Sequence, residues 1–222
     1  MSQLRKEQID CPQCGEHGEF DLWTSVNVDL DPELREKIFS EELFLWECPK
    51  CGAKIYVPFG TLYHDMTHKF MLFFQHEEPK EGKYEPMEVP KAFGLEDGYT
   101  IRLVCGVDNL KEKIVILEHG LNDVAVERMK YMQSHIIHPE IAEKGYHLFF
   151  GGINRDDKEL SEHGSIIFFF RTEDDKTMSN ALPMDVDYEH CLACDLDPRM
   201  KVESCQCVDE GWMSMQLKSH KV

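Results

Sequence analysis

The sequence predicts an α+β fold, and three observations point there. Two cysteine turns of one pattern recur, Cys11-Pro12-Gln13-Cys14-Gly15 and Cys48-Pro49-Lys50-Cys51-Gly52, with strand-like segments beside the second. Two amphipathic stretches in tandem, within residues 109–137, have helical spacing. The last third returns to short apolar runs of strand length. The expected architecture is a cysteine-bearing β module with a helical pair in residues 1–137, then a β-rich C-terminal region in residues 138–222.

Each part of the cysteine pattern has a physical job. Two intervening residues let both thiolates of one tight turn face the same ion. Pro fixes φ at the start of the turn. Gly after the second Cys tolerates φ > 0, where backbone N–H groups curl round to face sulfur. Two matched pairs predict one tetrahedral zinc site at Cys11, Cys14, Cys48 and Cys51, in a zinc-ribbon-like module.

Between the pairs, residues 20–30 alternate in part and are rich in Trp, Thr and Val, which predicts a strand. Asp31-Pro32-Glu33 predicts a short helix with Asp31 as N-cap, ending near Phe39-Ser40. Residues 43–47 and 53–57 predict a hairpin that folds over the first turn and gathers the four sulfurs. Lys50 and Lys54 either soften the negative charge of a four-thiolate centre or are solvated surface lysines. After the break at Pro58-Phe59-Gly60, Leu62-Tyr63-His64-Asp65 reads as a packed, hydrogen-bonded turn and residues 69–75 as a strand. Residues 76–91, charged and rich in proline, read as a surface connection, and residues 99–105 as a strand.

Asn109 is expected to cap a helix, with Glu112 completing a capping box. Leu110, Ile114 and Leu117 share one face of it, and Gly120 ends it. A second helix opens at Asn122, and its stripe Ala125, Met129, Met132 and Ile136 reads as core, running to about Ile137. From Pro139 the pattern predicts strands, at residues 146–150, 165–171 and 213–217.

At these residues the chain resembles the CpXC family, named for its two Cys-Pro-x-Cys motifs. The resemblance rests on Cys11-Pro12-Gln13-Cys14, Cys48-Pro49-Lys50-Cys51, Leu62-Tyr63-His64-Asp65 and Arg102-Leu103-Val104. The stretch Asn109-Leu110-Lys111-Glu112-Lys113-Ile114 and the Gly120-Leu121-Asn122-Asp123 turn extend it to about residue 137. It implies zinc held by the four cysteines and implies no activity.

Other residues carry weaker chemistry. His64-Asp65-Met66-Thr67-His68 is similar to the His-Glu-x-x-His metalloprotease motif with Asp for Glu. On a helix His64 and His68 could share a metal, with Asp65 as general base. Against this stand the shorter Asp, the lack of a third ligand and the strand-like residues that follow. Cys191, Cys194, Cys205 and Cys207, with His190 spare, could form a second metal site or be buried or surface thiols, and Cys105 reads as core. No phosphate-binding or dinucleotide glycine pattern and no serine nucleophile elbow is present.

Composition narrows the function. With 42 acidic and 24 basic residues the net charge is −18, spread along the chain without a cluster of Lys and Arg, which disfavours nucleic acid as partner. A basic protein partner fits this charge better. No apolar run is long enough for a membrane span and the first residues lack a signal-peptide pattern, so a cytoplasmic location is expected, with reduced thiols. The expected function is a non-catalytic interaction or regulatory module stabilised by Zn²⁺. The alternatives are a metal-dependent hydrolase at His64, Asp65 and His68, or a nucleic-acid-binding zinc ribbon.

Overall fold

A computed structural model describes residues 1–77, 86–88, 98–154, 165–172, 181–184, 202–203 and 205–219. The chain divides into two compact units, Met1–Lys111 with Ser204–Gln206, and Glu112–Glu203 with Cys207–Val222. This division follows packing, whereas the sequence boundary at 137 and 138 follows the end of the family motifs. The fold class is α+β, as expected.

The first unit is built on a sheet ordered β1-β2-β5-β6-β7-β11, formed by β1 (Gln3–Asp10), β2 (His17–Asn27), β5 (Thr61–Asp65), β6 (Phe70–Gln75), β7 (Thr100–Cys105) and β11 (Gln206–Cys207). Pairing is antiparallel for β1–β2 and β5–β6, and parallel for β2–β5 and β6–β7. A separate hairpin joins β3 (Leu45–Glu47) to β4 (Lys54–Tyr56), as the sequence predicted. Helix α1 (Glu33–Phe39) follows Pro32 without the side-chain cap expected of Asp31, and buries Leu34 and Ile38. Aromatic rings fill the space beside the sheet, with Phe44 5.1 Å from Phe59 and 5.5 Å from Phe74. Two expectations change here. Residues 61–65 are a strand rather than a turn, because Thr61, Tyr63 and Asp65 alternate into the interior. And β1 exists although nothing in Gln3–Asp10 alternates in hydrophobicity, since both its faces are largely exposed.

Trp46 explains how the hairpin is fixed over the first cysteine turn. Its indole N–H donates to the Glu19 carbonyl at 3.0 Å, and its ring lies against Gly18. A Cβ on Gly18 would come within 2.5 Å of Trp46 Cζ2. Gly18→Ala is therefore expected to destabilise the protein by about 1–3 kcal/mol, the usual cost of overpacking. Denaturant titration followed by Trp fluorescence checks this; an unchanged midpoint would show that the ring moves freely.

Helix α2 (Val107–Glu118) leads into the second unit, which continues with α3 (Asp123–Met132), a π-helical turn (Gln133–Ile137) and α4 (Pro139–Glu143). Then follow β8 (Tyr146–Asn154), β9 (Ser165–Thr172), β10 (Ala181–Met184) and α5 (Glu210–Ser219). The three strands form an antiparallel sheet ordered β10-β9-β8. Its core joins Ile116, Val126 and Met129 of the helices to Leu148, Phe150, Ile166 and Phe168 of the strands.

The helical pair forms where the sequence placed it. Asn122 Oδ1 accepts the N–H groups of Val124 and Ala125, and Gly120 sits at φ +70°. The expected capping box of Asn109 and Glu112 does not form: α2 begins at Val107, Asn109 bonds back to the Cys105 carbonyl, and Glu112 is buried. The stripe of α3 stops short because the π turn carries more residues per turn and rotates its phase, leaving Ile136 and Ile137 exposed. Residues 139–143, ahead of the first strand the sequence placed, are helical, with Pro at the first turn. One strand expectation is corrected. Residues 213–217 lie in α5, which Asp209 opens by accepting the Trp212 N–H at 2.8 Å and which buries Trp212 and Met213. Among the described residues no helix is long and apolar enough to cross a membrane.

Candidate metal centre

The two cysteine turns have the same backbone. Cys11 N–H donates to Glu16 O at 2.8 Å and Gly15 N–H to Cys11 O at 2.8 Å. Cys48 N–H donates to Ala53 O and Gly52 N–H to Cys48 O, both at 2.9 Å. The closing glycines have φ +70° and +71°, a conformation that favours residues without a Cβ. Each turn thus presents one buried sulfur, Cys11 or Cys48, and one nearer the surface, Cys14 or Cys51.

Across the turns the sulfurs pair crosswise, with Cys11 Sγ 3.6 Å from Cys51 Sγ and Cys14 Sγ 3.6 Å from Cys48 Sγ. All four lie within 4.8 Å of one another. A tetrahedron with metal–sulfur bonds of about 2.3 Å has edges of about 3.8 Å, so this donor set fits a single ion. Such crowding prevents four thiols from ionising together without a cation among them. The shifts express that conflict. The Glu16 backbone pulls Cys14 down, but burial and the other three sulfurs prevail and push it up to about 12. Burial raises Cys48, but the Cys51 and Lys50 backbones outweigh it and bring the thiol to about 7. Lys50 lies 3.0 Å from Glu16, a side-chain link between the two turns.

Residues 9–130 match the family described as CpXC protein. The chain belongs to the CpXC family. The matched span contains both cysteine turns, strands β5, β6 and β7, and most of the helical pair. No curated protein and no solved structure matches this CpXC chain.

The other predicted positions fall elsewhere. Strand β5 sends His64 and Asp65 to opposite faces. His64 Nε2 lies 3.2 Å from the Tyr99 hydroxyl, and burial holds its pKa below the usual imidazole value. Asp65 is buried and accepts the His68 N–H at 2.8 Å, with His68 Nδ1 at 2.7 Å. The helical stacking that would let His64 and His68 share a metal is not formed. Cys191 and Cys194 lie outside the described residues. Cys205 is buried, which pushes its thiol up to about 11, and Cys207 lies 3.3 Å from Asp209 Oδ2. Cys105 is buried, as expected of a core residue. Among the described residues, only the four cysteines of the two turns gather as three or more close potential ligands.

The sequence reading missed a second polar feature, inside the second unit. Glu112, Lys113, Asp123, Glu127 and Lys130 are all nearly fully buried. Lys130 Nζ lies 2.9 Å from Glu112 Oε2 and 3.1 Å from Glu127 Oε2; Lys113 Nζ donates to Asp123 at 3.1 Å and to the Val208 carbonyl at 2.7 Å. Glu112 Oε1 also accepts the Phe150 N–H at 2.6 Å. One signal pointed to it: Asp123, Glu127 and Lys130 share one face of α3.

Proposed function

We propose that the four cysteines bind one zinc ion in a saturated structural site, and that this CpXC protein is a non-catalytic interaction or regulatory module. The observation that carries the reading is the crosswise approach of the sulfurs at 3.6 Å between two turns of identical backbone. Thiolate-only donors favour zinc among abundant divalent ions, and four of them leave no position for water or substrate. What zinc supplies is a cross-link; Gly15, Gly52 and the inward N–H groups hold the thiolates ready for it. Recognition then falls to surfaces that the cross-link positions, and the net charge of −18 favours a basic protein partner. Free thiols at these positions suit a reducing compartment, which we take to be the cytoplasm.

Elemental analysis tests the metal. One zinc per chain is expected in the protein as purified, and none bound at Cys11, Cys14, Cys48 and Cys51 in the Cys11→Ser/Cys48→Ser double variant. Stoichiometric zinc retained by that variant would overturn the assignment.

A further inference from the structure

Beside the cysteine turns, the first part of β2, before β5 joins it, and β3 present unpaired edges to one groove of about 540 Å³. The edges follow from register. The Cys11–Glu16 hydrogen bond fixes the parity of the β1–β2 ladder, so Gln8↔Glu19 and Lys6↔Asp21 are non-hydrogen-bonded pairs. The backbone N–H and C=O groups of Glu19 and Asp21 therefore point away from β1, and β5 joins β2 only from Ser25 onward. The Glu19 carbonyl is met by Trp46. In the hairpin, the bonds Cys48 N–H to Ala53 O and Val57 N–H to Phe44 O fix the same parity, so Leu45 and Glu47 turn their backbone groups away from β4. The Leu45 N–H is taken by Glu42 O. Among the described residues, Asp21 and Glu47 keep outward backbone groups that no strand pairs.

The side chains around these edges carry one sign. Glu19, Asp21, Glu42 and Glu47 line the groove, against Lys6 and Lys37. Lys6 is already tied to Glu19 at 3.0 Å. Three carboxylates thus face a single remaining cation, over an apolar wall of Trp23, Leu43 and Leu45. Open strand edges recruit extended chains, with main-chain bonds giving affinity and side-chain pockets giving specificity.

We propose that this groove binds an extended, basic peptide segment of a partner protein by strand addition at the edges of β2 and β3. Its Lys or Arg side chains meet Asp21, Glu42 and Glu47, and apolar side chains two residues along, on the same face of the added strand, meet Trp23 and Leu45. This rests on the reading of the chain as an interaction module and names the class of partner.

A random peptide display library selected on the full-length, zinc-loaded protein tests it. Enriched sequences are expected to carry basic and apolar residues two positions apart, without proline. A synthetic peptide of the enriched sequence should slow amide exchange at Asp21 and Glu47, and should bind at least tenfold more weakly to the Asp21→Lys/Glu47→Lys variant. No enrichment, enrichment of acidic peptides, protection elsewhere, or unchanged affinity in that variant would each overturn the proposal. Zinc content measured on the same samples separates the two readings. Failure in protein carrying one zinc per chain removes the groove and leaves the metal centre; protection of Asp21 and Glu47 in zinc-free protein removes the structural metal and leaves the groove.

Discussion

A strong chelator under reducing conditions is expected to loosen the hairpin of β3 and β4 and to lower the unfolding midpoint of the first unit sharply, as the proposed zinc at the four cysteines requires. The strands concerned are three residues each, far too short to persist alone. Between them and β2 stand Trp46 over Gly18, its bond to Glu19, and the four-sulfur cluster. Binding of structural zinc by small peptides is worth about 10–16 kcal/mol, and it is felt as folding energy where the site does not exist in the unfolded chain. The aromatic core around Phe44 supports part of this unit without metal, so a loss of several kcal/mol is expected rather than the whole. Near-UV circular dichroism reports it through the tryptophan environment, and Cys48→Ser should reproduce the chelator effect without added chelator. A melt that chelation leaves unchanged would mean that packing alone holds the two turns together.

The second large effect lies in the buried charges of α2 and α3. Three carboxyls, Glu112, Asp123 and Glu127, share that site with two ammonium groups, Lys113 and Lys130. One carboxyl is in surplus, and burial pushes Glu127 from its usual 4.5 up to about 7, Lys130 and Lys113 opposing and Glu112 and Asp209 reinforcing. Lys130 itself is raised, because the attraction of Glu112 and Glu127 outweighs its burial. Lys130→Met leaves two buried carboxyls uncompensated and is expected to cost about 3–5 kcal/mol. Glu127→Gln keeps the shape, removes the surplus charge and is expected to change stability by about 1 kcal/mol or less near neutral pH.

The pH dependence has a definite sign. A carboxyl whose pKa is higher in the folded chain binds more protons there, so its stabilising share is full below 4.5 and is lost as pH rises through about 7. Urea unfolding of wild type and Glu127→Gln, compared between pH 5 and 8, isolates this share. The difference between the two should shift in favour of the variant as pH rises. A difference that stays constant with pH would show Glu127 to be ionised throughout.

How much of this was legible in the sequence depended on whether a residue's job was local. The cysteine turns, the Asn122 cap and the Gly120 stop are satisfied by neighbours a few residues away, and sequence spacing reports them directly. β1 left no trace because an edge strand exposed on both faces needs no apolar alternation. The helix at 210–219 was hidden because its cap, Asp209, and its buried Trp212 lie before the apolar run that suggested a strand. Glu112 was assigned a local partner, Asn109, while its actual partners are Lys130 and Phe150. Charged helix residues ordinarily face water, so a buried network of them is visible only once both helices are in place.

The path of the chain gives the first sheet an order of assembly. Its outer strand beside β7, β11, comes from residues 206–207, after the whole of the α2-to-β10 segment has been laid down. On the ribosome both cysteine turns and the strands from β1 to β7 emerge first and can pair at once. The far edge of β7 must wait for Gln206, and until then it is an unpaired template for other nascent chains. The sheet is completed last at its β11 end, so a slowed or truncated synthesis would yield a first unit with its four cysteines gathered and the far edge of β7 still adhesive.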